Sequence, residues 1–128
     1  MSAGSALQEA VVQAVNGLTE ITGTYDGPPA RAPFPYLVVD AGTELDWSHK
    51  SGGGREVLVA LTLWDDQPAR LQRLADEVET LLASVHEVRG CRLVSFRFVK
   101  RRVVRDVSGP WAAALDYRAR LLSNEQGD

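Results

Sequence analysis

The stretch that most constrains the fold is Glu56–Trp64, EVLVALTLW. In an extended chain Val57, Val59, Leu61 and Leu63 fall on one face, and Leu58, Ala60, Thr62 and Trp64 on the other. Both faces are mostly apolar, which predicts an interior strand covered on both sides. Helices of the same chain can cover one side. The other side calls for more protein or for a neighbouring subunit. The run is far too short to cross a bilayer as a helix.

The chain has 128 residues, enough for a single domain with one core. Hydrophobic residues make up 45% and charged residues 24%, the balance of a globular protein rather than a disordered one. The N-terminal MSAGSALQEA has no basic segment ahead of an apolar core, so it does not read as a secretory signal. One cysteine, Cys91, allows no intrachain disulfide and reads as a small buried hydrophobe at the start of a strand. Net charge is -3, but its distribution is uneven. Arg89, Arg92, Arg97, Lys100, Arg101, Arg102 and Arg105 crowd into residues 89–105, where no acid occurs. The pattern is a basic stripe on an acidic body.

In chain order, Ser5 and Gln8 have the spacing of a capping box, and Leu7, Val11, Ala14, Val15 and Leu18 follow helical periodicity. A helix is predicted over 5–17, stopped by Asn16-Gly17. Residues 18–35 form a connector held extended by Pro28, Pro29, Pro33 and Pro35. Tyr36–Asp40 reads as a short strand, and 41–54 as a polar loop ending in three glycines. After the central strand, Asp65 or Asp66 is placed to cap a second helix, with Pro68 in its first turn. Leu71, Leu74, Val78, Leu81, Leu82 and Val85 give that helix its apolar stripe; Arg70, Arg73, Glu77, Glu79 and Thr80 form its solvated face. Two long strands follow, 92–105 and 111–121, joined by a turn at 106–110. The turn-proximal half of this hairpin is expected to project from the body. Val94, Phe96 and Phe98 are read as one face of its first strand. The fold class is α+β: an antiparallel sheet of about four strands, two helices on one face and a long C-terminal hairpin. Residues 1–128 make one domain, with 122–128 as a flexible tail.

Catalytic and cofactor motifs are missing. There is no Walker loop, no dinucleotide fingerprint and no nucleophile elbow, and the glycines at 52–54 precede a strand rather than a helix. His49 and His86 lack metal-ligand spacing. Asp46, Ser48 and His49 hold the residue types of a catalytic triad, but adjacent loop residues do not converge on one substrate atom. The expectation is a non-enzyme without metal or cofactor. The basic stripe points to a phosphate backbone or an acidic protein surface. Stacking aromatics are not interleaved through 100–105, which argues against sequence-specific reading of nucleic acid. Self-association, basic segment of one copy against acidic body of the next, fits the charge segregation better.

With these features in view, the chain resembles the small tail-completion or tail-terminator proteins of long-tailed phages and of phage-derived gene transfer agents. The resemblance rests on order and spacing: a leading amphipathic helix, Tyr25-Asp26-Gly27-Pro28-Pro29, Pro35-Tyr36-Leu37-Val38-Val39 closing on Gly42, a strand ending in Leu63-Trp64, a Leu-rich helix, and a terminal hairpin with Asp106, Gly109 and Leu115-Asp116-Tyr117-Arg118. It implies a structural virion protein, assembled in the bacterial cytoplasm into a ring, commonly of six copies. The ring caps the tail tube, ends its polymerisation and joins it to the head connector. DNA passes through the channel without sequence recognition, and no membrane is involved. Candidate contact residues for subunit or tube are Glu44, Asp46, Trp47, His49, Lys50, Arg55, Lys100, Arg101, Arg102, Arg105 and Trp111. Trp47 and Trp111 either anchor an interface or cap the chain's own core. Two alternatives are a head–tail joining or tail-tube component of related fold, and a nucleic-acid-binding module using the basic stripe.

Overall fold

The computed structural model describes residues 2–29 and 31–123. Its elements are α1 (Ala3–Val15), β1 (Thr24–Tyr25), β2 (Tyr36–Asp46), β3 (Gly54–Asp65), α2 (Pro68–Leu82), β4 (Cys91–Arg105) and β5 (Trp111–Ser123). The strands form one sheet in the order β1-β2-β3-β5-β4. All pairings are antiparallel except that of the two-residue β1 with β2. The fold is the expected α+β arrangement, with β1 as an additional strand.

The central run takes the interior position its composition demands. β3 lies between β2 and β5, and its pairing with β5 extends from Gly54↔Leu122 to Asp65↔Trp111. Val57, Val59, Leu61 and Leu63 are buried beneath both helices, against Leu7, Val11 and Val15 of α1 and Leu71, Leu74, Val78 and Leu82 of α2. β5 adds Ala113, Leu115, Tyr117, Ala119 and Leu121 to this core, keeping the predicted alternation. Burial pushes the Tyr117 hydroxyl pKa up to about 12, with Glu79 adding to the effect, so the ring stays neutral while stacking on Phe96.

Several local expectations are corrected. Ser2, not Ser5, caps α1: its hydroxyl accepts the Ser5 N–H at 3.0 Å. Gln8 leaves the helix end altogether. Its side-chain amide donates to the Val39 carbonyl (2.9 Å) and accepts the Ala41 N–H (3.0 Å), bonding the outer edge of β2. Residues 41–54 are not a single loop. β2 continues to Asp46 through a bulge between Asp40 and Thr43, and β3 already starts at Gly54. The extra residue shifts the side-chain parity, which is why alternation was not readable past Asp40. Gly54 is required here, because a Cβ would sit 2.3 Å from the Trp47 carbonyl oxygen.

Asp65 and Asp66 do not cap α2; Gln67 holds that position without a side-chain bond. Asp65 is instead fully buried, accepts the Gln67 N–H at 3.2 Å, and receives both Nε and Nη2 of Arg70 at 2.7 and 2.6 Å. Arg70 and Arg73, expected on a solvated face, are therefore engaged, Arg73 by a two-point contact with Glu20. Bulges at Leu93/Ser95 and Phe98/Lys100 alter the reading of β4. Leu93, Phe96 and Phe98 share the helix side, while Val94 and Val99 sit at the bulges, 43% and 53% exposed. The hairpin is long but does not project as an arm, since β3 accompanies β5 to its start. Only the Asp106–Pro110 turn extends past the sheet, closed by Asp106 N–H to the Pro110 carbonyl (2.7 Å) and Gly109 N–H to the Asp106 carbonyl (3.0 Å). Of the expected flexible tail, residues 122 and 123 belong to β5, and 124–128 lie outside the described residues.

Candidate assembly surface

The sheet has one face under the helices and one face bare. Cross-strand register sets the bare face in rows: Tyr36–Trp64–Ala112–Val104, Val38–Thr62–Ala114–Arg102, Asp40–Ala60–Asp116–Lys100, Thr43–Leu58–Arg118–Arg97 and Leu45–Glu56–Arg120–Ser95. Leu58 is 41% exposed and Leu45 46%. Ala60 is exposed, and Thr62 and Trp64 are half-buried. The second apolar side of the central run is thus left uncovered by the described residues. The bulges of β2 and β4 flank the row containing Ala60, where Leu58, Ala60 and Val99 line a shallow groove with Asp40 and Asp116.

Charge on this face is partly spent internally. Glu56 receives Arg120 Nε at 2.9 Å and lies 3.7 Å from Arg118 Nε. Lys100 is 3.8 Å from Asp116. By contrast Arg92, Arg97 and Arg102 are exposed and have no ion-pair partner among the described residues.

The candidate contact residues are not brought to one place. Trp47 folds back onto the bare face, edge-on to His49 (4.5 Å between centroids) and beneath the Arg120 guanidinium (5.4 Å). Its N–H donates to the Gly54 carbonyl, and His49 and Gly52 close the tip of the β2–β3 hairpin. Asp46 accepts the Ser48 hydroxyl at 2.6 Å, but His49 bonds neither, so no triad geometry exists. Arg55 lies between Glu44 (3.8 Å) and Asp46 (3.6 Å), while Lys50 is exposed at the tip.

On the opposite side of the molecule, Arg101 is engaged within its own chain. It points under the sheet to α2, donating to Asp76 (2.6 Å), Glu79 (2.8 Å) and Gln72 (carbonyl 3.1 Å, side chain 2.5 Å). Burial opposes its charge, but the two carboxylates outweigh that and hold its pKa above the ordinary arginine value. Arg101 therefore ties β4 to the helix layer. Trp111 packs against the core's edge, with Arg105 over its ring at 5.8 Å.

Sequence reasoning missed the role of Gln8 and of Asp65. A capping-box spacing and an acidic pair before a helix are local signals, and both side chains were claimed by partners the local sequence does not reveal. Among the described residues no three His, Cys, Asp or Glu side chains cluster as a metal site.

Residues 5–122 match the family described as tail completion protein gp17. The chain belongs to that family. Its architecture is similar to that of a chain in the virion of a native gene transfer agent particle, with 22% identity, a TM-score of 0.81, and 95% of this chain and 98% of that one covered. It is also similar to the bacteriophage SPP1 gp17 protein, at 20% identity and a TM-score of 0.62, covering 98% and 94%. At these identities the likeness speaks for the fold. No curated protein matches. As a tail-completion family member the chain is a structural protein of the tail of a phage or phage-like particle.

Proposed function

We propose that this tail-completion protein acts as a ring, commonly of six copies, that caps the end of the tail tube. The ring ends tube polymerisation and offers its far surface to the head connector, and DNA passes through its channel without being read. The observation that carries this reading is the bare sheet face with its free β4 edge, in a member of a tail-completion family. Partly exposed Leu45, Leu58, Phe98 and Val99 are positioned to be covered by neighbours or by the tube.

Light scattering of the purified protein, alone and with tube protein, tests the reading directly. A species near six times the 14.0 kDa chain is expected in at least the second case. In cells lacking the protein, tails of uncontrolled length without attached heads are expected. Normal tail length with attached heads would overturn the proposal. One ring per particle separates this role from that of a repeating tube subunit.

The unpaired Arg92, Arg97 and Arg102 favour a second reading, contact with nucleic acid. A module whose main task is binding DNA would show affinity falling steeply with salt in filter binding. Weak, salt-insensitive retention points back to the structural role.

A further inference from the structure

The two edges of the sheet differ in both hydrogen bonding and charge. On one side, β1 covers Leu37 and Val38 of β2, and the Gln8 amide closes the next positions, Val39 and Ala41. Exposed Asp26 and Asp40 line one shallow depression at this edge. Neither has a cationic partner among the described residues; Asp40 accepts only the Gly42 N–H, at 2.8 Å. On the other side, β4 pairs with β5 alone among the described strands, and apart from the Val88–Cys91 bridge at its start its outer backbone has no strand partner among the described residues. This edge carries the unpaired Arg97 and Arg102 together with Phe98 and Val99, 47% and 53% exposed.

We infer that neighbouring copies meet by unlike edges: Arg97 and Arg102 of one copy against Asp26 and Asp40 of the next. This rests on the ring reading above and specifies which surfaces close the ring. The strand order places the two charged edges at opposite ends of the sheet, so one copy cannot satisfy itself. Like-edge pairing is disfavoured by charge, since β4 against β4 sets arginine on arginine and β2 against β2 sets carboxylate on carboxylate. Unlike-edge contact is heterologous, and a heterologous contact repeated by a fixed rotation closes a ring. Around Asp40 the contact is made through side chains, because Gln8 has already taken the flanking backbone positions at Val39 and Ala41. Exposed ion pairs are individually weak. They choose the partner surface and its register, while the exposed apolar side chains of β4 supply area to bury.

Two charge-reversed variants test this, R97E/R102E and D26R/D40R, each checked for an unchanged thermal melt and measured by light scattering with tube protein present. Each variant alone is expected to lose the ring species. An equimolar mixture is expected to regain it, because every reversed edge then faces a reversed partner in alternating order. A ring formed by R97E/R102E alone, or folded variants whose mixture fails to assemble, would refute the edge assignment while leaving the ring itself intact. A wild-type protein that stays monomeric with tube protein would remove the ring reading instead, and this inference with it.

Discussion

Both faces of β3 carry apolar side chains, yet they are covered very differently. Val57, Val59, Leu61 and Leu63 are at most 1% exposed, whereas Leu58 on the other face is 41% exposed and Ala60 is open. Periodicity alone treats both faces as core. What separates them is the number of covering layers: α1 and α2 both lie on one side, and no described element is left for the other. In the proposed ring, an apolar face without a layer of its own is a surface for a neighbour to cover.

That comparison can be broken by substitution. The largest effect is expected at Leu61→Ala, where truncation under the helices leaves a cavity and costs about 3 kcal/mol; chemical denaturation should register it as a lower midpoint. Next comes Asp65→Ala, about 2 kcal/mol, because the Gln67 N–H and the Arg70 guanidinium lose a buried acceptor. This site also predicts a pH dependence. Burial alone would raise the Asp65 pKa, but the hydrogen bonds from Arg70 and Gln67 overcome it and hold the value below the ordinary carboxylate range. A depressed folded-state pKa contributes stability above the unfolded value, about 3.9, that is lost as pH falls through the folded value. The stability gap between wild type and Asp65→Asn should therefore be constant at neutral pH and shrink below about pH 4.

Smaller still is Arg101→Ala, at about 1 kcal/mol after allowing for solvent around Asp76 and Gln72. Hydrogen exchange should show β4 opening more readily in that variant. Smallest for the single copy is Leu58→Ser, within about 0.5 kcal/mol in denaturation. If its neighbour-facing role is correct, the same change weakens ring formation measured by light scattering. An equal loss of monomer stability at Leu58 and Leu61 would erase the distinction between the faces.

Much of the fold is legible in the sequence because its signals are periodic. The alternation Trp111, Ala113, Leu115, Tyr117, Ala119, Leu121 and the stripe Leu71, Leu74, Val78 specify β5 and α2 directly. What was not legible lies where period is interrupted: the Asp40/Thr43 bulge concealed half of β2, and the Phe98/Lys100 bulge placed Arg101 beneath the sheet while Arg102 stayed above it. A run of three basic residues looks uniform in sequence, yet pleating sends Arg101 to α2 and its neighbours outward. Position in the charge stripe therefore does not predict availability, whereas side-chain parity across the bulge does.

The amide of Gln8 has a consequence for how this protein fails. A β-rich subunit with two receptive borders can polymerise without limit, each copy templating another into a fibre. Here the Val39–Ala41 stretch of one border is occupied by a side chain anchored in a helix, so an incoming strand cannot zip along the full length of β2. Replacing that single glutamine with leucine would unseal the border, and the expected symptom is insoluble protein on storage rather than a misfolded monomer.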